Sequence, residues 1–155
     1  MGGFFVCRFN SSKAIIMSTH LQIEYAVKQD HEWLLQFDKH ISAEKLHDKI
    51  QQKEVLIASE ADQNVALIRF GWFWDTIPFM NMLWVIEEKR HIGIGKALVQ
   101  FWEEEMRKGK HDMVLTSTLS NEPPQHFYRK IGYTDSGGLL LPEEPMELFF
   151  RKDFG

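Results

Sequence analysis

The sequence has little cysteine, no excess of basic residues and no long apolar run. Cys7 is the only cysteine among 155 residues, so the chain can form no internal disulfide and no zinc cage of thiolates. This usage favours a reducing compartment, and we expect the cytoplasm. No stretch approaches the ~18 consecutive apolar residues of a membrane-spanning helix, so we expect no membrane partner.

The charge balance and the histidines narrow the possible ligands. Lysine and arginine number 18 against 22 acidic residues, and the net charge of −4 gives no general positive field for nucleic acid. A nucleic-acid partner is therefore disfavoured, although a local basic site stays open. The seven histidines show no pair at metal-ligand spacing with carboxylate support, so we expect no metal.

The remaining composition is that of one folded domain. Hydrophobic residues make up 44% and charged residues 26% of the chain, which excludes general disorder. Residues 1–16 have neither helical nor strand periodicity, and Met17 follows them. We interpret residues 1–16 as an N-terminal extension outside the fold, with a functional arm or extra strand as the alternative, and residues 17–155 as a single domain.

Strand-like and helix-like stretches alternate from Leu21 onward, which predicts an α/β or mixed α+β domain. Period-two spacing predicts a first strand over residues 21–27. Two helices follow, with Asp30 and Ser42 as N-caps and apolar stripes at three- and four-residue spacing. The first stripe is Trp33, Leu34, Phe37 and Ile41, and the second is Ala43, Leu46 and Ile50. Later strands are predicted at 54–59, 65–74, 81–86, 113–118, 139–141 and 146–150.

The third predicted helix starts after a glycine loop and ends at Gly109. Its apolar stripe is Ala97, Leu98, Phe101 and Trp102. We expect the pairs Glu103/Arg107 and Glu104/Lys108, four residues apart, on its solvent face. A short fourth helix is predicted from Pro123 and Pro124 to Gly132.

The loop between residues 85 and 98 is the most informative segment. A strand that ends in two glycines followed by a helix brings free backbone N–H groups and a helix dipole to one place, which favours an anion such as a pyrophosphate. A P-loop is excluded because Arg90 and Ala97 stand where it requires glycine and serine or threonine. A dinucleotide fingerprint lacks its third glycine, since that position is Leu98. A plain strand–loop–helix connection remains the alternative.

The segment Arg90-His91-Ile92-Gly93-Ile94-Gly95 resembles the acetyl-coenzyme A (acetyl-CoA) pyrophosphate loop of the GCN5-related N-acetyltransferase (GNAT) family. Downstream, Asn121 and the run Phe127-Tyr128-Arg129-Lys130-Ile131-Gly132-Tyr133 resemble the family's second signature. The resemblance covers about residues 21–150 and includes the order of elements. It implies a central mixed, mostly antiparallel sheet of about seven strands, flanked by about four helices and splayed between strands 4 and 5.

The same resemblance implies the cosubstrate and its binding residues. Acetyl-CoA would bond to the fourth strand at Leu83, Trp84 and Val85. Its pyrophosphate would rest on the backbone of the loop, formed by Arg90, His91, Ile92, Gly93, Ile94, Gly95 and Lys96. Asn121 would bond the pantetheine arm, with an N-cap role as the alternative. Tyr128 would be the general acid, with a packed helix aromatic as the alternative.

The implied reaction is transfer of the acetyl group to a primary amine of a small molecule or a protein. Some members of the family carry a glutamate on the fourth strand that acts as the general base. Phe79 stands at that position here. Trp72, Trp74 and Asp75 are candidate acceptor-binding residues, because an aromatic wall with an acid can hold a cationic amine; hydrophobic core is the alternative. A catalytically inactive acyl-CoA binding or sensing domain stays open, as does a nucleotide-binding module. The apolar last strands make a homodimer plausible.

Overall fold

The computed structural model describes residues 20–155, so the interpretation of residues 1–16 lies outside the described part. Seven strands are present: β1 (Leu21–Tyr25), β2 (Val55–Glu60), β3 (Gln63–Phe73), β4 (Ile77–Val85), β5 (Met113–Leu119), β6 (Thr134–Leu139) and β7 (Glu147–Asp153). Four α-helices are α1 (His31–Phe37), α2 (Ala43–Gln51), α3 (Ile94–Lys108) and α4 (Pro124–Lys130). Two 3-10 turns cover Lys28–Asp30 and Glu87–Lys89.

The strands form one mixed sheet in the order β1-β2-β3-β4-β5-β7-β6. The pairs β1–β2, β2–β3, β5–β7 and β6–β7 are antiparallel, and β4–β5 is parallel. The parallel ladder pairs Phe79 with Leu115 and Met80 with Thr116. The predicted fold class, a mixed seven-stranded sheet with four helices, is confirmed.

The described chain divides into two compact units. The first comprises residues 20–69 and 82–102. In it, α1 and α2 pack their apolar stripes on β2 and β3 around the fully buried Leu34 and Leu46. Ser42 caps α2 as predicted, with its hydroxyl accepting from the Lys45 amide at 3.2 Å.

A buried ion pair crosses the first unit. Both Asp38, the C-cap of α1, and Arg69 on β3 are buried, and the guanidinium donates from Nε and Nη2 to the two carboxylate oxygens. Because paired charges in the interior satisfy each other, this contact fixes the end of α1 on the sheet.

The second unit comprises residues 70–81 and 103–155. Phe150 of β7 is fully buried there, and the rings of Tyr128 and Tyr133 pack beside it and each other. Glu103, on the last turns of α3, is also buried. Its predicted place on the solvent face is wrong, because it pairs with Lys152 of β7 rather than with Arg107.

Several predicted boundaries differ from the structure. β4 begins at Ile77, not residue 81, because the strand resumes directly after the turn at residues 74–76, in which Trp74 and Asp75 have positive φ. α1 ends at Phe37, so Ile41 lies outside it. The strand predicted at 139–141 is the earlier β6, Thr134–Leu139, which leaves Leu140 82% exposed.

The first helix also begins differently. Asp30 occupies the N-cap position of α1 but in helical geometry, and its carboxylate accepts from the Val27 amide at 2.8 Å instead. Within residues 20–155, no helix is both long and apolar enough to cross a membrane.

Candidate functional site

In the first unit, the end of β4 is tied to the loop that follows it. Leu83, Trp84 and Val85 are half-buried. The Arg90 Nε donates to the Val85 carbonyl at 2.9 Å, and the guanidinium carbon lies 4.5 Å from the centroid of the Trp84 ring. The Arg90 side chain therefore folds back onto the strand and braces the turn, so the backbone of the loop is the candidate anion-binding element.

The glycine loop meets the start of α3 at Gly93. The carbonyl of Gly93 accepts the first helical bond, from the Ala97 amide at 3.0 Å, so Gly93 is the N-cap and Ile94, Gly95 and Lys96 form the first turn. The amides of a first turn have no acceptor within the helix and carry the positive end of its dipole. These amides form the candidate pyrophosphate site.

Gly93 is required by its backbone conformation. Its φ is +95°, and apart from its two chain neighbours no described residue lies within 4 Å of the place where a Cβ would stand. A side chain would meet no clash but would be strained by the positive φ. His91 also has a positive φ, of 62°, so two residues of the loop adopt a positive-φ backbone conformation before the helix begins.

A groove of about 520 Å³ lies beside the end of β4 in the first unit. Its lining residues are Trp33, Phe37, Asn64, Trp84, Ile86, Glu87, Glu88 and Arg90. Phe37 stacks on Trp84 with ring centroids 6.2 Å apart. The sequence pattern did not identify Trp33 and Phe37 as groove residues, because an apolar helix stripe also describes core. Glu87 and Glu88 are exposed at the mouth of the glycine loop.

Tyr128 lies in the second unit, on α4, and is buried. Burial raises the pKa of its hydroxyl to about 12, and a hydrogen bond with the Thr116 side chain opposes part of this rise. The Tyr128 ring packs against Phe127, Tyr133 and Phe150, and its role as general acid stays a prediction. The phenol nevertheless stays protonated at neutral pH, which is the state that a proton donor needs.

Asn121 is exposed just before α4. The N-cap of α4 is Pro123, so the alternative N-cap role for Asn121 is wrong. The side-chain amide of Gln125 instead donates to the carbonyls of Ser120 and Glu122 at 2.8 and 3.0 Å and fixes this turn. The cofactor role of Asn121 stays a prediction.

The candidate acceptor residues of the second unit do not form one wall. Trp72 packs on His111 at 5.2 Å, whereas Trp74 packs on Phe73 at 4.8 Å. Trp74 does not continue the strand of Trp72, because β3 ends at Phe73 and both Trp74 and Asp75 adopt positive φ, of 52° and 62°. The substrate role of Trp72, Trp74 and Asp75 stays a prediction.

Phe79 lies in a phenylalanine cluster that the sequence did not reveal. Its ring centroid is 6.2 Å from that of Phe73 and 5.8 Å from that of Phe149. These residues come from β3, β4 and β7, so local periodicity carries no signal for their meeting. Among residues 20–155, no group of three or more histidine, cysteine, aspartate or glutamate side chains is placed to hold a metal ion.

The sequence profile of the acetyltransferase (GNAT) domain matches residues 51–135, more than half of the chain. The chain belongs to the GNAT family. The matched region contains β4, the glycine loop, α3 and α4. No curated protein matches the sequence.

Solved GNAT structures share the fold at low sequence identity. An acetyltransferase of the GNAT family from Bacillus cereus is 20% identical, with a TM-score of 0.71 over 86% of this chain and 96% of that one. PaiA N-acetyltransferase from Thermoplasma acidophilum in complex with coenzyme A is 18% identical, with a TM-score of 0.70 over 89% and 100%. Arabidopsis thaliana Naa50 in complex with the bisubstrate analogue CoA-Ac-MVNAL is 18% identical, with a TM-score of 0.71 over 87% and 99%.

Proposed function

We propose that the chain is an N-acetyltransferase that moves an acetyl group from acetyl-CoA to a primary amine. The observation that carries this proposal is the first turn of α3 in a chain of the GNAT family. The free amides of this turn follow the N-cap residue Gly93 and the end of β4 that Arg90 braces. One solved structure of the same fold is bound to coenzyme A and another to the bisubstrate analogue CoA-Ac-MVNAL, which supports acetyl-CoA as the cosubstrate here.

Acetyl-CoA would be held mainly by backbone groups. The pyrophosphate accepts from amides of the loop and first turn, the segment formed by Arg90, His91, Ile92, Gly93, Ile94, Gly95 and Lys96. The pantetheine arm bonds to the β4 backbone at Leu83, Trp84 and Val85, and Asn121 contributes a side-chain amide. Fixed backbone donors suit phosphate because they lose little freedom when the ligand binds.

The chemistry is direct attack of a neutral amine on the thioester carbonyl. The new C–N bond gives a tetrahedral intermediate, whose oxyanion accepts from the Val85 N–H. Collapse breaks the C–S bond, and Tyr128 donates its proton to the leaving thiolate. The attacking nitrogen loses its proton through water, since Phe79 supplies no base, and the step as written needs no metal.

The acceptor is a primary amine of a small molecule or a protein N-terminus or lysine. The Naa50 relative carries a peptide-linked bisubstrate analogue, which supports an amine acceptor in this fold. The low cysteine content supports action in the cytoplasm. A second candidate is an acyl-CoA sensor without turnover, which the apolar surroundings of Phe79 favour.

The test is thermal unfolding with millimolar acetyl-CoA, coenzyme A, ATP or NAD. A ligand that binds only the folded state stabilises it, by about 2.7 kcal/mol when the ligand concentration is 100 times its Kd, and therefore raises the unfolding midpoint. We expect a rise with both coenzyme A species, none with NAD, and amine-dependent release of free thiol from acetyl-CoA. Binding without thiol release for any amine class favours the sensor. No rise with coenzyme A contradicts the cofactor site.

A further inference from the structure

A lysine and a glutamate form a largely buried pair in the second unit, next to the end of α4. The Lys152 Nζ lies 2.8 Å from the Glu103 Oε2, and the two side chains are 21% and 4% exposed. Neither residue belongs to the GNAT signatures named above. A buried ion pair seldom stabilises a protein more than apolar side chains of the same volume would. A contribution to stability alone therefore does not account for this pair.

The same ammonium group also caps α4. The Lys152 Nζ donates to the carbonyl oxygen of Ile131, the C-cap residue of α4, at 3.0 Å. The last carbonyls of a helix have no partner within it, and a cation there complements the helix dipole. α4 has only seven residues, so it depends on tertiary contacts for its position.

The capped end of α4 is joined to Tyr128 by contacts of Tyr133. The Tyr133 amide, two residues beyond the capped carbonyl, donates to the Tyr128 carbonyl at 3.0 Å. The Tyr133 ring lies 5.7 Å from the Tyr128 ring and 5.6 Å from the Lys152 Nζ. At Gly132 between them, φ is +100°, and an added Cβ would lie 3.5 Å from the Lys152 Cε. The Lys152 side chain thus lies along the turn that joins α4 to β6.

Glu103 holds the lysine in this place. Its carboxylate comes from α3, faces the Tyr133 hydroxyl, and raises the pKa of that hydroxyl in addition to burial. Without the carboxylate, the ammonium would have to reach water instead of the helix end. The two charged side chains connect α3 and β7 to the end of α4 through one shared atom, the Lys152 Nζ.

We propose that Lys152, oriented by Glu103, is a positioning residue that fixes α4 and thereby the Tyr128 hydroxyl for proton donation. The inference rests on the proposed function for its catalytic meaning. The positioning itself is a property of the fold and is measurable without turnover.

The experiment compares three variants of the full chain by amide hydrogen exchange and by kinetics. The double variant Glu103→Gln/Lys152→Met removes the cap without leaving a lone buried charge. Glu103→Gln alone retains the ammonium. Lys130→Met makes the same lysine change on an exposed position of α4 and is the matched control.

We expect the double variant and Glu103→Gln to exchange the amides of residues 127–133 at least about tenfold faster, because one loses the cap and the other the carboxylate that orients it, while the Lys130→Met control remains close to wild type. In kinetics, kcat should fall about tenfold with unchanged acetyl-CoA affinity, less than the ~100-fold that loss of a general acid costs. In a Tyr128→Phe background the same change should add no further loss, because both act through one group.

Wild-type exchange over residues 127–133 in the double variant would overturn the inference. So would wild-type exchange in Glu103→Gln, since Lys152 would then hold α4 without an orienting carboxylate. Losses that simply multiply in the Tyr128→Phe background would assign Lys152 a general structural role. If the wild-type chain shows no thiol release, the proposed function fails, but the exchange comparison still decides whether Lys152 positions α4.

Discussion

At the scale of single residues, Tyr128 combines burial with a phenol that stays protonated. Tyr128→Phe removes only the hydroxyl, so we expect kcat to fall about 100-fold or more while the midpoint rise with coenzyme A persists. Because burial raises the pKa to about 12, the wild type should show no decline in kcat from this group between pH 7 and 10. Steady-state thiol release over this pH range measures both.

Tyr25→Phe, the same change on β1 of the first unit, is the matched control for this measurement. It should leave kcat and its pH profile as in the wild type. Unchanged turnover in Tyr128→Phe would remove the general-acid assignment and leave Tyr128 as a packing residue beside Tyr133 and Phe150.

Residues in regular local patterns could be predicted from the sequence, whereas residues defined by distant partners could not. Ser42 and Leu46 follow from capping and helical periodicity, and the structure confirms both. Glu103 occupies a position typical of an exposed i,i+4 pair, yet its partner Lys152 is 49 residues away on β7. Phe79, Phe73 and Phe149 likewise meet only because three strands bring them together. No local period encodes such encounters.

At the scale of elements, the β3–β4 hairpin has an unfavourable turn sequence. Both central residues, Trp74 and Asp75, have positive φ, as in a type I′ turn that favours Asn-Gly. A bulky residue in this region costs about 1–3 kcal/mol, and Trp74 is 77% exposed, so little burial offsets the cost. We expect Trp74→Asn/Asp75→Gly to raise the free energy of unfolding by about 1 kcal/mol in denaturant titrations.

The β2–β3 hairpin supplies the comparison for this prediction. Ala61 and Asp62 also have positive φ, so Ala61→Asn/Asp62→Gly should stabilise by a similar amount without removing an aromatic ring. If the Trp74 variant alone is destabilised, the contact with Phe73 outweighs the strain. If it is stabilised but its KM for the amine rises, the strained turn is retained for acceptor binding, which would support the predicted roles of Trp74 and Asp75.

Element types were more predictable than element limits. The glycine loop and α3 were placed correctly because an apolar stripe, a glycine stop and charged last-turn residues agree with one another. The start of β4 differs from the prediction because Trp74, an aromatic residue typical of strands, lies in the turn and Asp75 alone is a weak turn signal. The strained conformation of these two residues depends on the flanking strands and not on their own preferences.

At the scale of the whole molecule, one edge of the sheet is the candidate surface for the expected homodimer. β6 is one of the two edge strands, all six of its residues are exposed, and Leu139 and Leu140 are 50% and 82% exposed. Phe150 is fully buried in the core of its own unit, so it is unavailable to a second copy. The expected homodimer would therefore use β6 and not β7, with its unpaired backbone groups bonding across a two-fold axis.

We expect sedimentation over a concentration series to show a monomer–dimer equilibrium that Leu140→Asp weakens by at least about tenfold, or ~1.4 kcal/mol. The charge would have to be buried at the paired edge, which is the physical reason for the loss. Val27→Asp places the same charge on another exposed apolar residue, in the first unit, and should leave the equilibrium unchanged. A monomer at every concentration contradicts the dimer. A dimer that is indifferent to Leu140→Asp would mean that another surface mediates it, because a strand edge cannot pair around an unpaired buried carboxylate.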